Sequence, residues 1–150
     1  MIGREIMRCD IEPLSDRPFE MKVVVHPLSG AALSFSEMSP THNTHSSQMI
    51  EDDHPVFSIV MSGHCTWSQA GRVAEVEAGQ GLLTTRGVAG TLRRHVASGI
   101  VNVRLDRGLL AAQMPKFEDA LLRPIAGRDT PLALLSGYCR TIAKMERLAT

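Results

Sequence analysis

Over residues 21–38 and 56–105, hydrophobic side chains recur at about every second position within short runs; beyond that the spacing lengthens to that of a helix. The alternation is clearest over residues 56–62, where Phe57, Ile59 and Met61 fall on one side and Val56, Ser58 and Val60 on the other. Gly63 relaxes the backbone there. A strand over 64–69 carries Trp67 as its bulkiest residue, Ala70-Gly71-Arg72 forms a hairpin turn, and 73–77 returns. Ala78-Gly79-Gln80-Gly81 turns again before a strand over 82–85. Upstream, Val23, Val24 and Val25 form a β-branched run closed by Pro27, and residues 31–38 oppose Leu33 and Phe35 to Ser34, Ser36 and Met38. Residues 91–96 and 100–105 alternate about Ser98-Gly99, with Ile100, Asn102 and Arg104 opposed to Val101, Val103 and Leu105. Residues 1–16 read as an extended lead-in, and 41–54 as a polar, aperiodic stretch. Short strands separated by glycine turns predict a small, mainly β barrel or sandwich.

The helical period begins after Asp106. Residues 107–113 and 116–122 read as short helical segments, the second closed by Arg123-Pro124. Thr130-Pro131 offers an N-cap hydroxyl and a first-turn proline for a final helix. On it Leu135, Tyr138, Ile142 and Met145 line one face, and Arg140, Lys144 and Arg147 another. That apolar stripe is expected either to cover one end of the barrel or to meet its own copy in a homodimer. The expected organisation is one domain: a barrel with an N-terminal arm over 1–106, and a helical segment over 107–150 that packs on it or dimerises.

Composition narrows the classes. The 150 residues carry 16 basic and 16 acidic side chains, so nothing global points to nucleic acid or an anionic membrane. The charge is uneven: residues 1–75 hold ten acidic and five basic side chains, residues 76–150 six and eleven. Arg86, Arg93, Arg94, Arg104 and Arg107 fall on separate elements, which favours a spread surface over one basic face. Cys9, Cys65 and Cys139 are odd in number and lack metal or disulfide spacing, as expected of a cytoplasmic chain. No leader and no membrane span are expected, since no apolar run is long enough.

Catalytic chemistry is poorly supplied. There is no nucleophile elbow and no phosphate loop, and in His64-Cys65 adjacent strand residues point to opposite faces. His42, His45, Glu51 and His54 are the one metal-like cluster, but two residues separate His42 from His45, so the pair diverges on a strand. No metal and no cofactor are expected, and these four remain weak candidates. A ligand pocket inside the barrel fits better. Trp67 offers a stacking face, Arg93 or Arg104 a bidentate partner for a carboxylate, and Phe57, Ile59 and Met61 an apolar wall.

Several stretches, in order, resemble the regulatory domain of the arabinose-regulator (AraC) family of transcription factors. They are Ile6-Met7-Arg8-Cys9-Asp10-Ile11-Glu12-Pro13, Val60-Met61-Ser62-Gly63 with Gln69-Ala70-Gly71-Arg72, Glu77-Ala78-Gly79-Gln80-Gly81, Asp119-Ala120-Leu121-Leu122-Arg123-Pro124-Ile125, and Leu134-Leu135-Ser136-Gly137-Tyr138. The resemblance implies a cupin-like (double-stranded β-helix or jelly-roll) barrel that senses a small effector. It also implies C-terminal α-helices that dimerise and lead into a DNA-reading domain. Two departures stand out. Ala78 and Gln80 replace the family's usual proline and aspartate, and no pair of helix-turn-helix units follows, so this chain alone is expected not to bind operator DNA. A stand-alone metal-dependent cupin enzyme, or a truncated relative that forms mixed dimers with a full-length regulator, are the alternatives.

Overall fold

The ten strands of the computed structural model, which describes residues 9–28 and 31–126, pair with one another only in antiparallel fashion. They are β1 (Asp10–Pro13), β2 (Met21–Leu28), β3 (Ala31–Met38), β4 (Thr41–His45), β5 (Pro55–Ser62), β6 (His64–Gln69), β7 (Arg72–Glu77), β8 (Gly81–Thr85), β9 (Gly90–Arg94) and β10 (Ser98–Leu105). Two five-stranded sheets result, ordered β1-β4-β9-β6-β7 and β2-β3-β10-β5-β8. Consecutive strands often lie in different sheets, as in β3 to β4 and β9 to β10. The two sheets face each other, so a core forms between them.

Register sets what faces inward. In the first sheet Asn43, Leu92, Trp67 and Ala74 lie in one cross-strand row, and Thr41, Arg94, Cys65 and Val76 in the next. In the second sheet the matching rows are Val25, Ser34, Asn102 and Ser58, and then Val23, Ser36, Ile100 and Val60. Val60, Cys65, Trp67, Val76, Leu82 and Ile100 interlock into the main core.

The β5 to β6 turn needs its glycine. Gly63 has φ +80°, and a Cβ there would lie 2.9 Å from the Ala97 carbonyl oxygen. Only a residue without a side chain meets both conditions cheaply.

A helix, α1 (Arg107–Gln113), follows β10 and is N-capped by Asp106, whose Oδ1 accepts from the Leu109 N–H at 2.9 Å. The helical segment expected over 116–122 is instead a single 3-10 turn, Phe117–Ala120. Phe117 is buried beneath the Arg107 guanidinium, which lies 5.0 Å from its ring centre. The chain then runs back along β8: Leu122 N–H donates to the Leu83 carbonyl at 2.9 Å, and Gly81 and Ile125 exchange two backbone bonds. Leu122 adopts φ 59° and inserts into the main core. The expected final helix, with Leu135, Tyr138, Ile142 and Met145, lies outside the described residues. Among the described residues no helix is long and apolar enough to cross a membrane.

Candidate functional site

The two sheets enclose a cavity of about 280 Å³. Its floor, middle and mouth follow the cross-strand rows. At the closed end sits Arg94, 0% exposed, which donates to the Ser98 carbonyl (3.0 Å), Ser98 Oγ (3.2 Å) and Ser36 Oγ (2.8 Å). The middle is walled by Val23, Val25 and Leu92, with Trp67 and Asn43 on one side and Ser34, Ser58 and Asn102 on the other. Ser58 Oγ donates to Asn102 Oδ1 at 2.6 Å. The open end is rimmed by His45, Gln69, Val56, Thr84, Arg86 and Arg104.

Fixed hydrogen bonds shape that rim. The Gln69 side-chain amide spans the gap between sheets: Nε2 donates to the Thr85 carbonyl (2.7 Å) and Oε1 accepts from the Thr85 N–H (3.3 Å). Opposite Gln69, Gly90 leaves room for it, since a Cβ there would lie 2.6 Å from Gln69 Cγ. Arg86 is held by Asp52 at 3.1 Å, and its carbonyl meets His45 Nε2 at 3.1 Å. Burial alone would raise the Asp52 carboxyl, but the His54 N–H and Arg86 outweigh it and hold it below its usual range.

The interior charges are all positive. Burial lowers the Arg94 guanidinium to about 10, and no described carboxylate pairs with it. Burial likewise pushes the Cys9 thiol up to about 11 and raises Cys65, although Arg94 draws both back.

Of the side chains singled out from the sequence, Trp67 and Arg104 line the cavity. Arg93 alternates with Leu92 and Arg94 and is exposed on the outer side of its sheet. Phe57, Ile59 and Met61 also point away from the cavity, and it is Val56 and Ser58 that line it. Ile59 belongs to a second cluster with Leu33 and Val101 on the outer face, where Phe35, Phe57, Met61, Val103 and Ile125 pack. The β5 alternation is therefore as expected, but its inward side is the reverse. The metal-like residues are dispersed. His45 faces the cavity, His42 the opposite side of β4, His54 meets the Leu105 carbonyl at 3.1 Å, and Glu51 is exposed in a loop. Among the described residues no three His, Cys, Asp or Glu side chains come together to hold a metal.

Asn43, Gln69, Ser34, Ser58 and Asn102 went unforeseen. For Ser34, Ser58 and Asn102 the sequence does carry a signal: on β3, β5 and β10 the small polar residues share one side of the alternation, as cavity walls do.

A family model described as the AraC-binding-like domain matches residues 1–146. No curated protein matches the chain. Among solved structures, the AraC-like transcriptional activator CuxR superposes with a TM-score of 0.76 at 18% identity, over 91% of this chain and 52% of that one. The chain thus spans about half the length of that activator. A cupin superfamily protein from Desulfitobacterium hafniense (TM-score 0.48, 8% identity, 61% of this chain and 83% of that one) superposes more loosely. So does an RmlC-like cupin from Desulfovibrio desulfuricans (0.47, 14%, 61% and 85%). Neither of these two bears on function.

Proposed function

Since this chain belongs to the AraC-binding-like domain family, we propose that it is the effector-sensing, non-catalytic part of an AraC-type transcription regulator in the cytoplasm. The observation that carries this reading is the cavity of about 280 Å³ between the sheets, open at one end, with mixed apolar and polar walls. A barrel interior of this kind suits one small molecule. Occupancy would favour the closed barrel over looser forms and shift the population a partner meets. DNA reading would belong to a helix-turn-helix part outside this chain, and homodimerisation to the stripe Leu135, Tyr138, Ile142 and Met145.

The test is a metabolite screen by thermal shift, with Trp67 fluorescence as the second readout. Trp67 is the one tryptophan of the chain and lines the cavity. A true effector raises Tm saturably, by about 2.7 kcal/mol of stability at a hundredfold excess over Kd, and alters Trp67 emission in parallel. Stoichiometric iron, manganese or zinc with substrate turnover, or a screen in which nothing does both, overturns the reading.

A further inference from the structure

The cavity is unevenly supplied with charge and with hydrogen-bond partners, and that unevenness names a ligand class. This step rests on the sensing role above. The cavity lining includes Arg86 and Arg104 and no carboxylate. Arg86 is balanced by Asp52 at 3.1 Å. Arg104, by contrast, stands at the open end, and its side chain makes no ion pair or hydrogen bond with any described residue. Behind the closed end Arg94 adds a second guanidinium without a carboxylate. Two positive charges without a described carboxylate partner, Arg104 exposed at the mouth and Arg94 buried behind the floor, bracket a cavity that carries no negative one, and charge interactions there are stronger than in bulk water. An anion is favoured there, a cation repelled.

A second observation is independent of charge. Asn43 is 4% exposed and lines the cavity in the Trp67 row, yet its Oδ1 has no hydrogen-bond partner. A buried amide left without partners costs about 1–3 kcal/mol, and a ligand hydroxyl that accepts from its N–H group, the side of the amide that is not sealed off, would recover part of that cost. Arg104 belongs to the row one step nearer the mouth: Gln69 and Thr85 tie the two sheets at that level, as Arg94 and Ser36 tie them at the floor. Anion site and hydroxyl site are thus displaced along the barrel axis, with Val25, Val56 and Leu92 between and beside them. The volume is that of about nine waters at ~30 Å³ each, room for a single-ring organic acid.

We propose that the cavity takes a hydroxylated aryl carboxylate, its carboxylate held at the open end by Arg104, its ring against Trp67, and its hydroxyl accepting from the Asn43 side-chain amide. Guanidinium and carboxylate match in a two-bonded fork, and Trp67 supplies an aromatic face.

The probes are 3-(4-hydroxyphenyl)propanoate, 3-phenylpropanoate and 3-(4-hydroxyphenyl)propanamide, titrated against the full chain with Trp67 emission and Tm as readouts. The hydroxy acid is expected to bind at least tenfold more tightly than either control. Arg104→Gln, a change at an exposed position, should abolish its advantage over the amide while keeping its advantage over the unhydroxylated acid. Asn43→Leu should do the reverse. An amide that binds as well as the acid, an acid preference that survives Arg104→Gln, or no saturable response to any of the three overturns the proposal. If a neutral or cationic compound from the metabolite screen saturates Trp67 where the acids do not, the anion assignment falls and the sensing role stands. A screen in which nothing binds removes both.

Discussion

At the scale of single residues, burial decides chemistry that sequence neighbours suggest otherwise. His64 precedes Cys65, a pairing that invites thoughts of an activated thiol, but Cys65 is buried in the core while the His64 ring stacks on His95 at 5.0 Å outside it. Desolvation raises the Cys65 and Cys9 thiols, and the thiolate is the reactive form. Iodoacetamide applied to the native protein at mildly alkaline pH should therefore leave Cys9 and Cys65 unlabelled by peptide mass spectrometry. Both should label in strong denaturant; labelling of either in the native state would refute the burial argument. Asp52 gives the opposite kind of signal. Its carboxyl is depressed in the folded state, so its contribution to stability is present above the ordinary value of 3.8 and lost as pH falls through the folded value. Below pH 3.8 the wild type should lose stability more steeply than Asp52→Asn, as followed by acid-dependent melting. Equal slopes would mean that Arg86 and the His54 N–H do not stabilise the carboxylate.

At the scale of elements, the strands were legible and their facing was not. Gly63, Gly71 and Gly79 mark turns that bound β5 to β8 almost to the residue, because each sits at positive φ, where a side chain is strained. The inward face of β5 is the reverse of the expected one for a physical reason. The rule that the more apolar side faces the core holds for a sheet wetted on one face. The β2-β3-β10-β5-β8 sheet is buried on both, with Ile59 at 0% exposure on its outer side and Val60 at 0% on its inner one. The richer apolar row then packs outward, and the poorer row, with Ser34, Ser58 and Asn102, lines the cavity. A paired substitution separates the two roles. Ile59→Ala should cost about 2–4 kcal/mol of stability, read from denaturant midpoints, and leave ligand affinity unchanged once folded. Val56→Ala should cost less stability and weaken binding of whatever quenches Trp67. If Ile59→Ala shifts affinity and Val56→Ala does not, the assignment of faces is reversed. The segment at 116–122 departs from the expected helix for a different reason. Its helix-forming residues occupy only one 3-10 turn, because the chain must swing Leu121 and Leu122 back onto β8.

At the scale of the whole molecule, two long polar side chains fasten one sheet to the other at opposite ends of the cavity. Neither was visible in the sequence, since a glutamine before a hairpin turn and one arginine among several read as surface residues until the register puts them inside. Gln69 pairs with both backbone groups of Thr85 at the mouth; Arg94 reaches Ser36 and Ser98 at the floor. Gln69→Ala removes both bonds to Thr85 and a longer one to the Val88 carbonyl, and should cost about 1–2 kcal/mol. Arg94→Lys keeps a buried charge but loses the planar fork that serves three acceptors, and should cost about 2–4 kcal/mol. Arg94→Met, which removes the charge as well, should cost less than the lysine. On β6 and β9 the two ties are four residues apart, roughly 13 Å at about 3.4 Å per residue, beyond the range at which substitutions normally couple. In a rigid container the double variant Gln69→Ala with Arg94→Lys should therefore lose the sum of the single losses to within about 0.5 kcal/mol. A larger discrepancy would mean that releasing one end strains or relaxes the other, so that the sheets hinge as a unit. A ligand filling the space between them would then be sensed at both ends at once, and the same double-mutant cycle repeated with the hydroxylated carboxylate bound should show the coupling shrink.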